Sequence, residues 1–229
     1  MWIVLTIALA LMWAVSLAIP VLGPLLFNLL SPVLFAGLMI GCRALENGEP
    51  LEIAHLFAGF KQQAAPLVTV GGIYLVGTVI VVGIVLVIAG GSMLPSVLSR
   101  PGTDIETLRA AARSMALAFA VGAAVYLPLL MLIWFAPLLV VFNGLAPVAA
   151  MKLSFTACVR NMLPFLVYSA AILLLWLALS LPAVLGATGG LLVIALLVAS
   201  IPVLICSIYA SYKDIFTPTS LSATSPTNS

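Results

Sequence analysis

Between its clusters of charged residues this chain is too apolar, for too long, to fold in water. Met1–Cys42, Gln62–Ser99, Ser114–Met151 and Asn161–Tyr212 contain no Asp, Glu, Lys or Arg. A helix needs about 20 residues to cross roughly 30 Å of hydrocarbon, so the first and last runs hold two crossings each. Both break near the middle, at Pro20, Gly23 and Pro24 in the first and at Pro182, Gly186, Gly189 and Gly190 in the last. Proline and clustered glycine are where a helical hairpin turns. The two middle runs read as one long span each, the second with a kink at Pro128 or Pro137. The fold class predicted is therefore an all-α integral membrane protein with six transmembrane helices, at about 2–19, 25–44, 66–90, 115–142, 164–182 and 190–211.

Composition supports a lipid solvent: 65% of residues are hydrophobic and 6% are charged, against about a quarter charged in soluble domains. A net charge of +2 is too small to point to nucleic acid, and the basic residues flank apolar runs, where the membrane surface is their partner. Cys42, Cys158 and Cys206 form no CxxC pair and read as small apolar helix residues, not as a disulfide framework or a zinc site. The N-terminal apolar stretch lacks a basic leading region and a small-residue cleavage site, so it reads as a retained span. Arg43, Lys61, Lys152, Arg160 and Lys213 fall on one side, and Arg100, Arg109 and Arg113 on the other. That excess puts both termini in the cytoplasm. Arg100–Arg113 is expected to form a short helix at the outer surface. The polar tail 217–229 is expected to be disordered beyond a membrane domain of residues 1–216.

Two segments repeat a design. In the first, Asn47-Gly48 turns the chain, Pro50 can start a helix, and Ile53, Leu56, Phe57, Phe60 and Ala64 fall on one face. In the second, Asn143-Gly144 turns it and Pro147 starts the helix. Met151, Phe155, Cys158 and Met162 then line the apolar side, with Lys152, Thr156 and Arg160 opposite. Both segments, about 50–64 and 147–162, are predicted as amphipathic helices lying in the interface plane. Their recurrence suggests an internal pseudo-repeat.

Three stretches, SPVLFAGLMIGCRALENGEPLEIAHLFAGFK, LSFTACVRNMLPFLVYSA and SIYASYKDIF, resemble an uncharacterised group of proteobacterial inner-membrane proteins. That group is marked by an SPxxxAGLMxGCRALExGExLExxHLFAGF block and a YASY[KR]DIF ending. The resemblance covers nearly the whole chain up to Phe216. It implies a six-span inner-membrane protein and supplies no substrate. Members usually carry a basic amphipathic stretch before the first span, whereas Met1-Trp2 opens directly in it.

Side chains with chemistry are few, and most fall in one belt. His55, the single histidine, follows Glu52 by three residues, as a proton-responsive group beside a carboxylate would. The reading preferred is an interfacial histidine held by an i,i+3 contact. Glu46, Glu49 and Glu52 line one loop beside Arg43 and could draw a cation, or simply solvate the turn. Gly37 and Gly41 form a GxxxG step for close helix packing. Catalytic, cofactor and metal residues are not predicted: no HExxH, membrane aspartate pair, P-loop or Rossmann glycine pattern occurs. The absence of charge from the middle of every predicted span weakens a coupled carrier.

The expected function is a non-enzymatic scaffold, assembly or lipid-interacting protein. Membrane lipids and other envelope proteins would be its partners, and its working surface would be Arg43, Glu46, Glu49, Glu52, His55, Lys61, Lys152 and Arg160. The alternative is a facilitator of a small or amphiphilic solute, with a path lined by Asn28, Thr69, Tyr74, Thr78 and Ser180. A third class is a lipid-modifying enzyme using His55 and Glu52.

Overall fold

Each charge-free run forms helix, because in hydrocarbon every backbone amide must find its partner within its own segment. The computed structural model describes residues 1–98 and 105–216. Its α-helices are α1 (Trp2–Leu17), α2 (Leu22–Glu46), α3 (Ala58–Leu98), α4 (Ile105–Ile133), α5 (Ala136–Asn143), α6 (Pro147–Arg160), α7 (Met162–Ser180) and α8 (Ala187–Phe216). Short 3-10 turns at Ile53–Phe57 and Leu181–Leu185 complete the described elements, and no strand occurs among the described residues. Among the described residues five stretches are long and apolar enough to cross a membrane: Leu22–Glu46, Ile53–Gly90, Arg109–Asn143, Met162–Val184 and Thr188–Phe216. α1, at 16 residues, is shorter. The expected outer helix falls partly on residues 99–104 and the expected tail on 217–229, both outside the described residues; from Ile105 the chain already belongs to α4.

The centre of the molecule is α2. It touches α1, α3, the Ile53–Phe57 turn, α5 and α8, and Val33, Ala36, Gly37, Met39, Gly41 and Cys42 are all buried on it. Lipid tails are as apolar as leucine, so such packing rests on close contact and not on escape from water. Small residues provide that contact. A Cβ placed on Gly37 would lie 2.5 Å from the carbonyl oxygens of both His55 and Leu56, and one on Gly71 of α3 would collide with the Leu29 carbonyl. Pro32 lies inside α2 and cannot return a hydrogen bond to the Asn28 carbonyl. The Ser31 hydroxyl donates to that oxygen instead, at 2.8 Å.

α5 is the second buried element, with Ala136, Pro137, Leu138, Leu139 and Val140 all enclosed. It continues α4 after a break at Trp134–Phe135, where Pro137 sits in the first turn of the new helix. The break leaves backbone groups to satisfy inside the core. Ser154 of α6 does so: its hydroxyl accepts from the Phe135 N–H at 3.0 Å and donates to the Met131 carbonyl at 2.7 Å.

The two surface segments differ from what periodicity suggests. The first is not one helix. Its 3-10 turn runs into α3, and a non-helical residue, Gln63 (φ −144°, ψ 45°), marks the kink where the span proper begins. Leu56 alone of the turn is buried, while Ile53, Phe57 and Phe60 face outward. The second is a true helix, but its inward face is Ala150, Met151, Ser154, Ala157 and Cys158. Of the four residues on its apolar side, Met151 and Cys158 are buried and Phe155 and Met162 are exposed.

Candidate functional site: the charged end of the bundle

Both Asn-Gly pairs end a buried helix. Gly48 (φ 79°) and Gly144 (φ 65°) adopt the left-handed conformation that L side chains resist. At the first, Glu49 N–H bonds the Ala44 carbonyl and Gly48 N–H bonds the Leu45 carbonyl, the paired closure of a glycine helix stop. Gly144 N–H bonds the Val140 carbonyl. These turns bring the ends of α2 and α5 side by side. Between them, the Ile53–Phe57 turn and the start of α3 lies an open cavity of about 560 Å³.

Arg43, Glu49, Glu52, His55 and Lys61 line this cavity, with Phe142 of α5. The Arg43 guanidinium stands 5.2 Å from the centre of the Phe142 ring, a cation–π distance. Among the described residues the sole ion pair within 4 Å is Lys213–Glu46; the four charges around the cavity do not pair with one another. His55 and Glu52 cap the turn reciprocally: His55 Nδ1 accepts the Glu52 N–H at 3.0 Å, and the Glu52 side chain accepts the His55 N–H. The imidazole thus closes the start of its own turn and does not engage the Glu52 carboxylate.

The remaining predicted residues lie elsewhere. Glu46 faces α8, where it accepts from Tyr209 Oη at 2.7 Å and pairs with Lys213. Lys152 and Arg160 lie on the exposed face of α6 and do not line the cavity. Gly37 and Gly41 pack against the Ile53–Phe57 segment of the same chain: a Cβ on Gly41 would meet the Leu51 side chain at 2.7 Å. Cys158 is buried in α6, which pushes its thiol up to about 11, with Ser154 pulling the other way. A thiol so placed is a poor nucleophile. Cys42 and Cys206, far apart in sequence, meet across α2 and α8 with sulfurs 3.9 Å apart. Among the described residues no group of three or more His, Cys, Asp or Glu is placed to hold a metal ion.

What residue-by-residue inspection missed is the face of α8 that docks on this end. Tyr209 bonds Glu46, Tyr212 donates to Asn143 Oδ1 at 2.5 Å, and the Phe216 ring stands 5.4 Å from Phe135. The signal was present in SIYASYKDIF: Tyr209, Tyr212, Lys213 and Phe216 recur at helical spacing and share one face.

Apolar helices of crossing length, helix breaks satisfied internally and most ionisable side chains gathered at one end together define a helical integral membrane protein. The chain is 33% identical, over 232 residues, to a probable inner membrane protein of Burkholderia thailandensis, the match covering 90% of this chain and 80% of that one. It belongs to that protein's family. No family model matches the chain, and no solved structure matches it.

Proposed function

We propose that this is a non-enzymatic, lipid-interacting protein of the bacterial inner membrane, a scaffold or assembly factor working at the cytoplasmic end of its bundle. It crosses six times, with both termini in the cytoplasm. The sixth crossing is α1, whose 16 residues span about 24 Å at the helical rise; the apolar turn after Leu17 supplies the rest. A duplicated unit underlies the bundle, in which a buried helix ending on Asn-Gly is followed by a surface segment and a lipid-facing span. α2 to α3 is one copy and α5 to α7 the other.

One observation carries the reading. Arg43, Lys61, Glu49 and Glu52 surround a cavity without pairing with one another, while the adjoining Ile53, Phe57 and Phe60 are exposed as an apolar patch. Exposed apolar side chains beside charges that form no ion pair with one another suit the boundary where acyl chains give way to headgroups. Native mass spectrometry from nanodiscs of mixed phospholipids tests this. The wild-type chain is expected to retain phospholipid that Arg43→Gln/Lys61→Gln sheds, and equal retention by both would refute the site. For orientation, a membrane-impermeant thiol reagent should miss Gln62→Cys from the periplasm; labelling from that side inverts the topology.

A facilitator is the second reading, favoured by the α4–α5 break. Discontinuous helices are where many carriers hold their solutes, and a cavity of about 240 Å³ beside the break is lined by Ser31 and Tyr74. Against it, the hydroxyls of Thr69, Thr78 and Ser180 are bonded to carbonyls of their own helices. Solute uptake by proteoliposomes that is blocked by Ser31→Leu would favour this reading over the first.

A further inference from the structure

A second cavity, of about 450 Å³, opens between the start of α7 and the end of α8. Its chemistry differs from that of the first. Trp134, Phe165 and Tyr168 present aromatic surface, Asp214 is its one carboxylate, and neither Lys nor Arg lines it. The rings are held in place. Trp134 meets Phe165 edge-on at 5.9 Å and 86°, and Tyr168 Oη donates to Ser207 Oγ at 2.5 Å, whose own proton goes to the Leu204 carbonyl. Asp214 has no cation within 4 Å and no hydrogen-bond donor among the described residues. Lys213, its neighbour in sequence, is directed to Glu46, and Arg160, which precedes the lining residue Asn161, does not line the cavity.

Aromatic faces attract cations through their ring quadrupoles, and a carboxylate at the rim adds a full charge of the same preference. An anion would meet repulsion from both. A neutral apolar ligand would leave Asp214 unanswered and gain nothing from it. We propose that this cavity binds an organic ammonium group, primary or quaternary, with the rings enclosing its alkyl part and Asp214 answering its charge. Two sources offer that chemistry, the headgroup of an amine-bearing phospholipid and a soluble amine. The site is separate from the Arg43–Lys61 cavity, so it stands or falls independently of the function proposed above.

The test uses the full chain in nanodiscs of phosphatidylglycerol, which carries no amine. Titration with tetramethylammonium chloride, against sodium chloride at matched ionic strength, is expected to give a saturable change in tryptophan fluorescence that Trp134→Phe abolishes. Asp214→Asn should weaken half-saturation about tenfold, as loss of the site's only charge predicts. Asp214→Glu should restore it, and Arg43→Gln/Lys61→Gln should leave it unchanged. In a second arm, native mass spectrometry from nanodiscs of equal phosphatidylethanolamine and phosphatidylglycerol compares lipids retained by wild type and Asp214→Asn. Loss of ethanolamine lipid in the variant assigns the site to a headgroup. A fluorescence response to the soluble cation with lipid retention independent of residue 214 assigns it to a solute. If neither measurement responds to Asp214→Asn in a variant that elutes as wild type does, the proposal is wrong.

Discussion

α2 and α7 look alike as sequences and differ in almost everything else. Both are apolar enough to cross a membrane, α7 the more so, yet 50% of the most apolar window of α2 is buried in the protein and none of that of α7. Hydrophobicity cannot separate them, because in lipid an apolar side chain is equally at home on the outside. Side-chain size does. α2 offers Ala36, Gly37, Gly41, Cys42 and Ala44 to its neighbours, while α7 carries Leu173, Leu174, Leu175, Trp176 and Leu177, all exposed. Within this bundle, where a helix sits follows from how closely its backbone lets others approach.

That contrast can be broken most forcefully at Gly37. Gly37→Val drives a side chain into two backbone carbonyls that cannot swing away, and is expected to cost about 3 kcal/mol or more. The readout is loss of a monodisperse species in detergent; Ala171→Val, on the exposed α7, should behave as wild type. Tolerance at Gly37 would mean that the contact between α2 and the Ile53–Phe57 turn is wrong. Next, Leu34→Ala on α2 should lower stability by about 2–5 kcal/mol. Leu174→Ala on α7 should stay within about 0.5 kcal/mol, both by thermal unfolding in one detergent.

Hydroxyls sharpen the same comparison. Ser154→Ala strands the Phe135 N–H and the Met131 carbonyl in the core, for an expected loss of about 1–3 kcal/mol. Ser180→Ala, at the exposed end of α7, should be silent in the same melt. Glu46→Gln should cost less than about 1 kcal/mol, since the side chains of its ion pair with Lys213 are 41% and 44% exposed. The gentlest probe replaces no side chain. Mild oxidation should join Cys42 to Cys206 and leave Cys158 as the one thiol open to alkylation after denaturation, counted by mass; three free thiols would separate α2 from α8.

Much of the local architecture was legible in the residues. Charge-free runs gave the helices and Asn-Gly pairs the stops of α2 and α5, because each follows from backbone chemistry within a few residues; the first reversal, marked by Pro20, is made at Val21 (φ 65°), with Gly23 inside α2 against the Ser16 carbonyl. The candidate site was half legible. Arg43, Glu49, Glu52, His55 and Lys61 cluster in sequence and stay clustered in space, whereas Glu46 leaves them for Tyr209 and Lys213, and Lys152 and Arg160 never join. Nothing local to Glu46 announces a partner on the last helix.

The sequence by itself determined that this chain belongs in lipid, that it is helical, and that α2 and α5 stop on Asn-Gly, since hydrocarbon tolerates no unpaired backbone and glycine turns through positive φ most cheaply. Only the tertiary structure decided which apolar helix lies at the centre, that a serine on α6 closes the break before α5, and that Asp214 shares a cavity with three aromatic rings. Those outcomes depend on side chains far apart along the chain meeting at distances of a few ångströms, and no periodicity within one segment encodes them.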